Sequence, residues 1–386
     1  MALALTNCDI YTGDEVLSEH AVVVSDGTIT DVIPFRDVPS DVEVLNLDGQ
    51  SVAPGFIDLQ VNGGGDALFN DDPSRDQIRR IVLAHRQFGT TDILPTYITG
   101  PVDGMLSAIG AVEQYEADGL EGVLGIHFEG PAINAAKAGV HDKHWIRTDH
   151  LEELLTVYHR ASERLQAVLV TLAPEVVGHE FVHELRSCGV RVAAGHTDAT
   201  GEQITAALDQ GLSLGTHVWN AMSPLTSRDP GVVGALLHDD RVWCDFIADG
   251  YHVDFTTLSI AVRAKPRGRA FLVTDAMSPV GGKRGGYRLG PFDVRVEEGR
   301  CVTEDGTLAG SALDLATAVR NCIQIMGVPK DEALRMASLY PAQYLGVDDR
   351  LGRIRRGYKA HIAVFDNEIH VSNVLVEGEL QSASLG

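Results

Sequence analysis

Short apolar segments alternate with amphipathic stretches of roughly 10 to 17 residues through the middle of the chain. This alternation is typical of repeated β-α units, in which a crossover helix follows each strand. Eight parallel strands with their helices in about 300 residues predict an α/β fold of the (β/α)8 TIM-type barrel class. The predicted strands are Phe56–Val61, Thr91–Thr96, Val123–Phe128, Ala167–Leu172, Val190–Gly195, Leu212–Thr216, Val242–Ile247 and Ala270–Thr274.

Helical periodicity and capping residues predict helices between and after these strands. Helix Gly201–Gln210 follows Thr200, a favourable N-cap residue. A loose capping box at Ser311 predicts the start of a helix that follows the eighth strand. The other predicted helices are Pro73–Phe88, Leu313–Met326 and Asp331–Leu339.

Both ends of the chain carry short β-rich segments that are separated by turn residues such as Asp26-Gly27 and Asp48-Gly49. We expect the two β-rich ends to pair with each other as a small second domain. The predicted organisation is a small β-sandwich domain from residues 1–53 plus 352–386, and a barrel catalytic domain from residues 54–351.

Polar residues with metal-binding or proton-transfer chemistry follow several of the predicted strands. Glu129, His196, His217 and Asp275 each end or follow a strand, and His252 comes a few residues after the seventh. Barrels of this class place their chemistry at the carboxyl ends of the strands, so these side chains are expected to meet. Taken singly, each is more often a structural or loop residue. Together they predict a metal-assisted hydrolase.

One carboxylate and two imidazoles form a typical catalytic zinc set, which keeps one position open for water. Glu129, His196 and His217 are therefore the predicted metal ligands. A bound divalent cation lowers the pKa of its water to about 7 and polarises a carbonyl oxygen. Asp275 is expected to accept the proton of that water and later to protonate the leaving group.

Charge and cysteine content restrict the partners and the compartment. The 386 residues include 31 Lys+Arg against 54 Asp+Glu, a formal net charge of −23, which argues against nucleic acid and anionic membranes as partners. One phosphate stays compatible with that charge, because distant charges are screened over about 8–10 Å. Five widely spaced cysteines, an absent signal peptide and the lack of a long apolar run predict a reduced, cytoplasmic protein.

Pro54-Gly55-Phe56-Ile57-Asp58 opens the first predicted strand and is followed by Gln60-Val61-Asn62. Further motifs along nearly the whole chain are His127-Phe128-Glu129-Gly130-Pro131, Lys137-Ala138-Gly139-Val140-His141, Gly195-His196-Thr197-Asp198-Ala199, Thr216-His217-Val218-Trp219-Asn220-Ala221-Met222, Ala248-Asp249-Gly250-Tyr251-His252-Val253, Val273-Thr274-Asp275-Ala276-Met277 and Leu308-Ala309-Gly310-Ser311. These motifs resemble the N-acetylglucosamine-6-phosphate deacetylases of the amidohydrolase superfamily. The first segment is similar to the superfamily opening, but Gln60-Val61-Asn62 stands where a His-x-His is usual.

The resemblance implies roles for these residues in removing acetyl from N-acetyl-D-glucosamine 6-phosphate. It implies that Glu129, His196 and His217 hold the metal, that Asp275 is the catalytic acid and base, and that His141 polarises the acetamide carbonyl. It implies a homodimer in which one subunit completes the phosphate site of the other. The implied substrate-binding residues are Val140, His141, Asn220, Ala221, Arg228, Asp249, His252, Leu308, Ala309 and Gly310.

Loss of His-x-His bears on the number of metal ions. Gln60 and Asn62 are poor zinc ligands, and no lysine occurs between Lys143 and Lys265 to supply a bridging carbamate. One divalent cation per subunit is therefore expected, with Zn²⁺ favoured and a weak second site near Gln60 and Asn62 left open. Three alternatives stay open: deacetylation of another amino sugar, hydrolysis of a cyclic amide, and a non-catalytic barrel that serves as a binding protein.

Overall fold

The computed structural model describes residues 2–383 and contains an eight-stranded parallel barrel sheet. The strands lie in chain order around the sheet, and a parallel bridge between Val61 and Ala276 joins its first and last members. The barrel strands are β1 (Phe56–Val61), β2 (Thr90–Ile98), β3 (Ile126–Glu129), β4 (Val168–Leu172), β5 (Arg191–Ala194), β6 (Leu212–Gly215), β7 (Trp243–Ile247) and β8 (Ala270–Val273). The predicted barrel is confirmed, with strand bounds that shift by up to three residues.

Helices connect the strands and continue after β8. They are Arg75–Arg86, Val102–Ala117, Leu151–Arg164, Pro174–Val177, His179–Ser187, Gly201–Gln210, Gly231–His238, Phe255–Ala264, Leu315–Gln324, Lys330–Ala337 and Leu339–Leu345, with 3₁₀ helices at Phe35–Asp37, Ala135–Lys137 and Lys143–Trp145. Thr200 and Gln203 form a complete capping box, which fixes the start of Gly201–Gln210. The helix predicted behind Ser311 begins later, because Asp314 caps it through the amide of Thr317. Among the described residues no helix has the length and apolar character needed to cross a membrane.

The two ends of the chain form two further sheets. One sheet orders Thr28–Pro34, His20–Ser25, Leu3–Thr6 and Glu43–Asn46, and the other orders Glu379–Ser382, Val371–Val376, Ile362–Phe365, Ser51–Pro54, Asp9–Tyr11 and Val16–Leu17. Ser51–Pro54 pairs antiparallel with Ile362–Phe365, so the N- and C-terminal segments share one sheet. Residues of both sheets, such as Leu5, Val22 and Leu375, enter one buried apolar cluster. This arrangement confirms the predicted sandwich.

The chain divides into two compact units. The first comprises the residues up to Asp58, Val82–Asp92 and the residues from Asp314 onward, and the second comprises Leu59–Ile81 and Ile93–Leu313. The domain boundaries expected at residues 53 and 352 stay a prediction.

An antiparallel sheet, the additional sheet, follows β8 within the second unit and was not predicted from the sequence. Its strands are Gly286–Leu289, Phe292–Glu297, Arg300–Thr303 and Leu308–Ser311, paired in that order. Tyr287 Oη donates a hydrogen bond to the carbonyl of Ala309 at 2.5 Å, which ties the first strand to the last. The inner side of this sheet contributes Leu289, Val294 and Cys301 to an apolar cluster with Ile98 and Met277. The sheet therefore lies beside the carboxyl ends of the barrel strands.

Candidate active site

Three histidines surround the carboxylate of Glu129, the last residue of β3. Glu129 Oε1 lies 3.1 Å from His196 Nε2 and 2.9 Å from His217 Nε2, and Oε2 lies 3.8 Å from His141 Nε2. All four side chains are buried. Ligand atoms of Glu129, His141 and His196 lie within 4.8 Å of one another, as metal ligands do. The structure thus brings together the predicted trio of Glu129, His196 and His217, and adds His141 to it.

The donor chemistry of His196 shows that this cluster fits a cation. His196 Nδ1 is 2.8 Å from the carbonyl of Lys137, which can only accept, so Nδ1 carries the proton. In a neutral ring, Nε2 then points a lone pair at a carboxylate oxygen. A proton or a metal ion between the two atoms removes the repulsion, and metal-binding histidines usually donate their other N–H in this way.

The backbone of the site residues is unusual. His196 (φ 48°), His217 (φ 34°) and Asp275 (φ 53°) come directly after or close behind strands β5, β6 and β8, and all adopt left-handed conformations. Side-chain-bearing residues rarely adopt such φ angles, which concentrate at functional sites. The carboxylate of Asp245 on β7 accepts the amide of His217, and this bond helps to hold the turn after β6. The barrel therefore fixes the direction of each of these side chains.

Gln60 and Asn62 act as hydrogen-bond donors in the site. Gln60 Nε2 donates to Glu129 Oε1 at 3.0 Å and to Asp275 Oδ1 at 3.1 Å, and Asn62 Nδ2 donates to Asp275 Oδ1 at 2.6 Å. Sequence reasoning considered these two amides only as poor zinc ligands. Their contacts hold both carboxylates in place, with the Oδ1 atom of Asp275 accepting from both amides. The Oδ1 atom of Asn62 is buried beside the cavity and has no hydrogen-bond partner among residues 2–383.

Neighbouring groups separate the pKa values of the two buried carboxylates. Burial alone would raise the pKa of Glu129, but the hydrogen bonds and charges of the histidines, His196 and His217 foremost, hold it well below its usual range. Burial and the negative charge of Glu129 raise the pKa of Asp275 to about 6. Glu129 is thus suited to bind a cation, whereas Asp275 is suited to exchange a proton near neutral pH.

The role of His141 depends on the hydroxyl of Thr99, which lies 2.7 Å from its Nδ1. Burial lowers the pKa of His141 to about 3, so the ring is neutral. If Thr99 donates to Nδ1, the proton is on Nε2 and His141 can donate a hydrogen bond into the cavity. If Nδ1 donates to Thr99, Nε2 presents a lone pair that suits a metal ion. Both arrangements are consistent with the distances.

Glu175 connects the loops around His196, and sequence reasoning missed it. It follows β4 and accepts hydrogen bonds from Asn134 Nδ2 at 2.8 Å, Thr197 Oγ1 at 2.5 Å and the amide of Asp198 at 2.7 Å. These donors come from the loops after β3 and β5. Nothing in the sequence motif marks Glu175, because its partners are far away along the chain. Its carboxylate fixes the backbone immediately after His196.

A cavity of about 240 Å³ opens in front of this cluster and contains most of the predicted substrate-binding residues. It is lined by Asn62, Ile98, Glu129, Gly139, Val140, His141, His196, His217, Asn220, Ala221, Ile247, His252, Asp275, Met277, Leu289, Thr307, Leu308 and Gly310. Three predicted residues do not line it. Arg228 is in an exposed loop, Ala309 is fully buried between two lining residues, and Asp249 lies behind His252.

Asp249 orients His252 at one side of the cavity. Its Oδ2 lies 2.7 Å from His252 Nδ1, and its Oδ1 accepts the amides of Tyr251 and His252. Burial opposes the charged form of His252, but the hydrogen bond and charge of Asp249 outweigh burial and raise its pKa. With Asn220 and Ala221, His252 gives this side of the cavity its hydrogen-bonding groups. Ile98, Val140, Met277 and Leu289 provide the apolar side.

The chain is similar to known proteins over nearly its whole length. The amidohydrolase family model matches residues 51–381, and the NagA composite domain model matches residues 3–52. An N-acetylgalactosamine-6-phosphate deacetylase of Shewanella sp. (strain ANA-3) is 39% identical over 94% of this chain and 92% of its own. The N-acetylglucosamine-6-phosphate deacetylase of Haemophilus influenzae is 33% identical over 98% of this chain and 99% of its own.

Solved structures give the same result over the whole fold. The N-acetylglucosamine-6-phosphate deacetylase from Pasteurella multocida superposes with a TM-score of 0.95 at 35% identity, covering 99% of this chain and 100% of that one. A mutant enzyme from Mycobacterium smegmatis in complex with N-acetyl-D-glucosamine-6-phosphate superposes with a TM-score of 0.90 at 30% identity, covering 98% of each chain. The chain belongs to the amidohydrolase family.

Proposed function

We propose that the protein hydrolyses the acetamide of N-acetyl-D-glucosamine 6-phosphate to give D-glucosamine 6-phosphate and acetate. The observation that carries this proposal is the convergence of Glu129, His196 and His217 opposite Asp275 in one cavity. The names of the relatives and the solved substrate complex of a 30% identical enzyme support the choice of substrate. Such a reaction belongs to amino-sugar catabolism and recycling.

Glu129, His196 and His217 would hold one divalent cation, for which Zn²⁺ is the proposed ion. When bound, the cation supplies Lewis acidity, which polarises the acetamide carbonyl and makes water acidic near neutral pH. The pairing of imidazole and carboxylate ligands suits zinc and several other divalent metals.

The residues of this chain divide the proton transfers between them. Asp275, ionised, takes a proton from the attacking water, and Gln60 and Asn62 hold its Oδ1 in place. His141, with its proton on Nε2 and Thr99 donating to Nδ1, donates a hydrogen bond to the carbonyl oxygen of the substrate. The C–N bond breaks when Asp275 returns the proton to the amine nitrogen. The water oxygen ends in acetate, and the second proton of the water also goes to the amine, which leaves as an ammonium group.

The phosphate is proposed to bind at the side of the cavity that holds Asn220, Ala221 and His252, together with Arg228. Because Arg228 is exposed and does not line the cavity of its own chain, we propose that it acts in the site of a partner subunit of a homodimer. Leu225, which is 47% exposed in the same loop, provides apolar surface for such a contact. An Arg guanidinium pairs two phosphate oxygens at once.

Subunit mixing tests this dimer directly. Arg228→Ala and Asp275→Asn each remove activity when alone, and refolding the two inactive variants together restores it only if Arg228 works across the interface. In the hybrid, one site has both Asp275 and the partner's intact Arg228. Failure to regain any activity, with hybrid formation shown by differently tagged subunits, contradicts a role in trans.

Acetate release from phosphorylated and unphosphorylated N-acetylhexosamines tests the main proposal. We expect efficient turnover of the 6-phosphate and a large loss without the phosphate, with about one metal ion per chain measured on the same sample. Equal turnover with and without phosphate would contradict the proposal. A fully active protein without metal would do so too.

A second candidate substrate is N-acetyl-D-galactosamine 6-phosphate, which differs only in the configuration at C4. It is favoured by the 39% identity to the Shewanella enzyme, which exceeds the 33% identity to the Haemophilus influenzae enzyme. The same assay with both epimers decides between them through the ratio of kcat/KM.

The proposed location is the cytoplasm, since all five cysteines are free thiols, as in proteins of reducing compartments.

A further inference from the structure

A second cavity, of about 280 Å³, lies next to the active-site cavity. Ile98, Val140 and Leu289 line both cavities, so these three side chains form the partition between them. Tyr97 and Trp145 are among the residues that line only the second cavity. Neither the proposed hydrolysis nor the phosphate contacts use this space.

The partition lies beside the residues that handle the acyl group. Val140 directly precedes His141, and Ile98 directly precedes Thr99, whose hydroxyl is 2.7 Å from His141 Nδ1. Leu289 comes from the additional sheet after β8 and packs in the same apolar cluster as Ile98. Three separate segments therefore meet at the apolar wall next to His141.

The carbonyl carbon of the amide carries three substituents, and the placement of the oxygen and the nitrogen determines where the third one, the alkyl group, points. In the proposed reaction the carbonyl oxygen points to His141 and the metal ligands, and the nitrogen with its sugar points to Asp275 and the polar side. The third substituent of the carbonyl carbon, the alkyl group, then points toward the apolar side. A methyl group fits in front of the partition, whereas a longer chain would have to pass through it.

We propose that the partition of Ile98, Val140 and Leu289 restricts the enzyme to short N-acyl groups, and that opening it turns the second cavity into a binding site for longer acyl chains. This inference rests on the proposed function, since it names the acyl specificity of the same reaction. The longer substrate is hydrolysed in the same way: water adds to the acyl carbon, the C–N bond breaks, and the amine leaves with both protons of the water. The products are glucosamine 6-phosphate and a butanoate or hexanoate anion.

Truncation of the partition tests the proposal. The substrates are glucosamine 6-phosphate carrying N-acetyl, N-butanoyl or N-hexanoyl groups, and the readout is the ratio of kcat/KM for each longer group to that for acetyl. We expect the ratio to rise about tenfold or more in Val140→Ala and in Leu289→Ala, since a methylene-sized change in an apolar pocket shifts selectivity by that order. Val140 is half-buried, so its variant keeps the test valid if Leu289→Ala fails to fold.

Ile247→Ala is the matched control, because this apolar residue lines the active-site cavity and not the second one. It enlarges the site without opening the partition, and its ratio should stay near that of the unmodified enzyme. An unchanged ratio in Val140→Ala, or an equal rise in the control, overturns the proposal. Failure of the unmodified enzyme to release acetate refutes the proposed function instead, so the two failures are distinguishable.

Discussion

Asn62 Nδ2 donates a hydrogen bond to Asp275 Oδ1 at 2.6 Å, across 213 residues of sequence. Asn62 follows the first barrel strand and Asp275 the last, so this bond spans the closure of the barrel. It leaves the other carboxylate oxygen of Asp275 for proton transfer. Asn62 stands where the superfamily usually has a histidine of the His-x-His motif. In this protein it is a hydrogen-bond donor to Asp275, the proposed acid and base.

Replacing Asp275 by Asn should remove most turnover, by about 10²–10⁴-fold, because the amide can neither accept nor return the proton. The metal content should stay nearly unchanged, since Asp275 is not one of the proposed metal ligands, Glu129, His196 and His217. Acetate release and metal analysis on one preparation check both statements. Asp293→Asn, at an exposed position of the additional sheet, is the control. Near-full activity of Asp275→Asn would show that another group moves the proton.

The pH profile should report the ionisation of Asp275. Burial and Glu129 raise its pKa to about 6, and Asp275 must be ionised to accept a proton, so activity should fall as pH falls through that value. A bound cation favours the ionised form, which places the midpoint at or below about 6. Profiles of kcat/KM in the metal-loaded enzyme measure it.

Asn62→Ala should move that acid limb to higher pH. The hydrogen bond from Asn62 favours the ionised carboxylate and lowers its pKa, so its loss makes Asp275 easier to protonate. The pH-independent rate is a separate readout and should fall less than in Asp275→Asn. A limb that stays in place, or moves to lower pH, contradicts the assigned contact.

Glu175→Ala should weaken metal binding by about 10–100-fold, as loss of the groups that orient a metal ligand usually does. Its carboxylate holds Thr197 and Asp198, which follow His196, but touches none of the proposed ligands itself. Saturating metal should therefore restore much of kcat. Titration with a competing chelator measures the affinity, and Glu180→Ala, at an exposed position in the next helix, is the control. Unchanged affinity would limit Glu175 to a role in folding.

The barrel and the convergence of Glu129, His196 and His217 could be predicted because strand periodicity and strand ends are local signals. Each of Glu129, His196 and His217 follows a recognisable apolar run, and a parallel barrel gathers such ends at one rim. The donors Gln60 and Asn62 could not be predicted as such, because side-chain direction across a closed barrel is not local. Glu175 was missed for the same reason.

The additional sheet was missed although it carried a local signal. Phe292–Glu297 alternates apolar and charged residues, which is typical of a strand with one exposed face. The position of Arg228 outside the cavity of its own chain could not be predicted from its loop sequence. The resemblance implied that one subunit completes the phosphate site of the other, but did not assign Arg228 to that contact. The structure thus changed the expected site mainly through residues whose partners are distant.

His361 and Asp92 form a buried pair that should stabilise the fold. The structure places His361 Nδ1 2.8 Å from Asp92 Oδ2, with both side chains 1% exposed. Burial alone would raise the pKa of Asp92, but the charge and hydrogen bond of His361 outweigh it and lower the pKa. Asp92 therefore stabilises the fold above its unfolded pKa, and that contribution is lost as pH falls through its lower folded value.

His361→Asp would place two carboxylates face to face in this buried position and should destabilise the protein by about 3–5 kcal/mol. The midpoint of thermal unfolding at neutral pH measures the loss. The exchanged double variant, His361→Asp with Asp92→His, restores one imidazole and one carboxylate and should recover part of the stability. If His361→Asp alone unfolds at the temperature of the unmodified protein, the pair of His361 and Asp92 contributes little to stability.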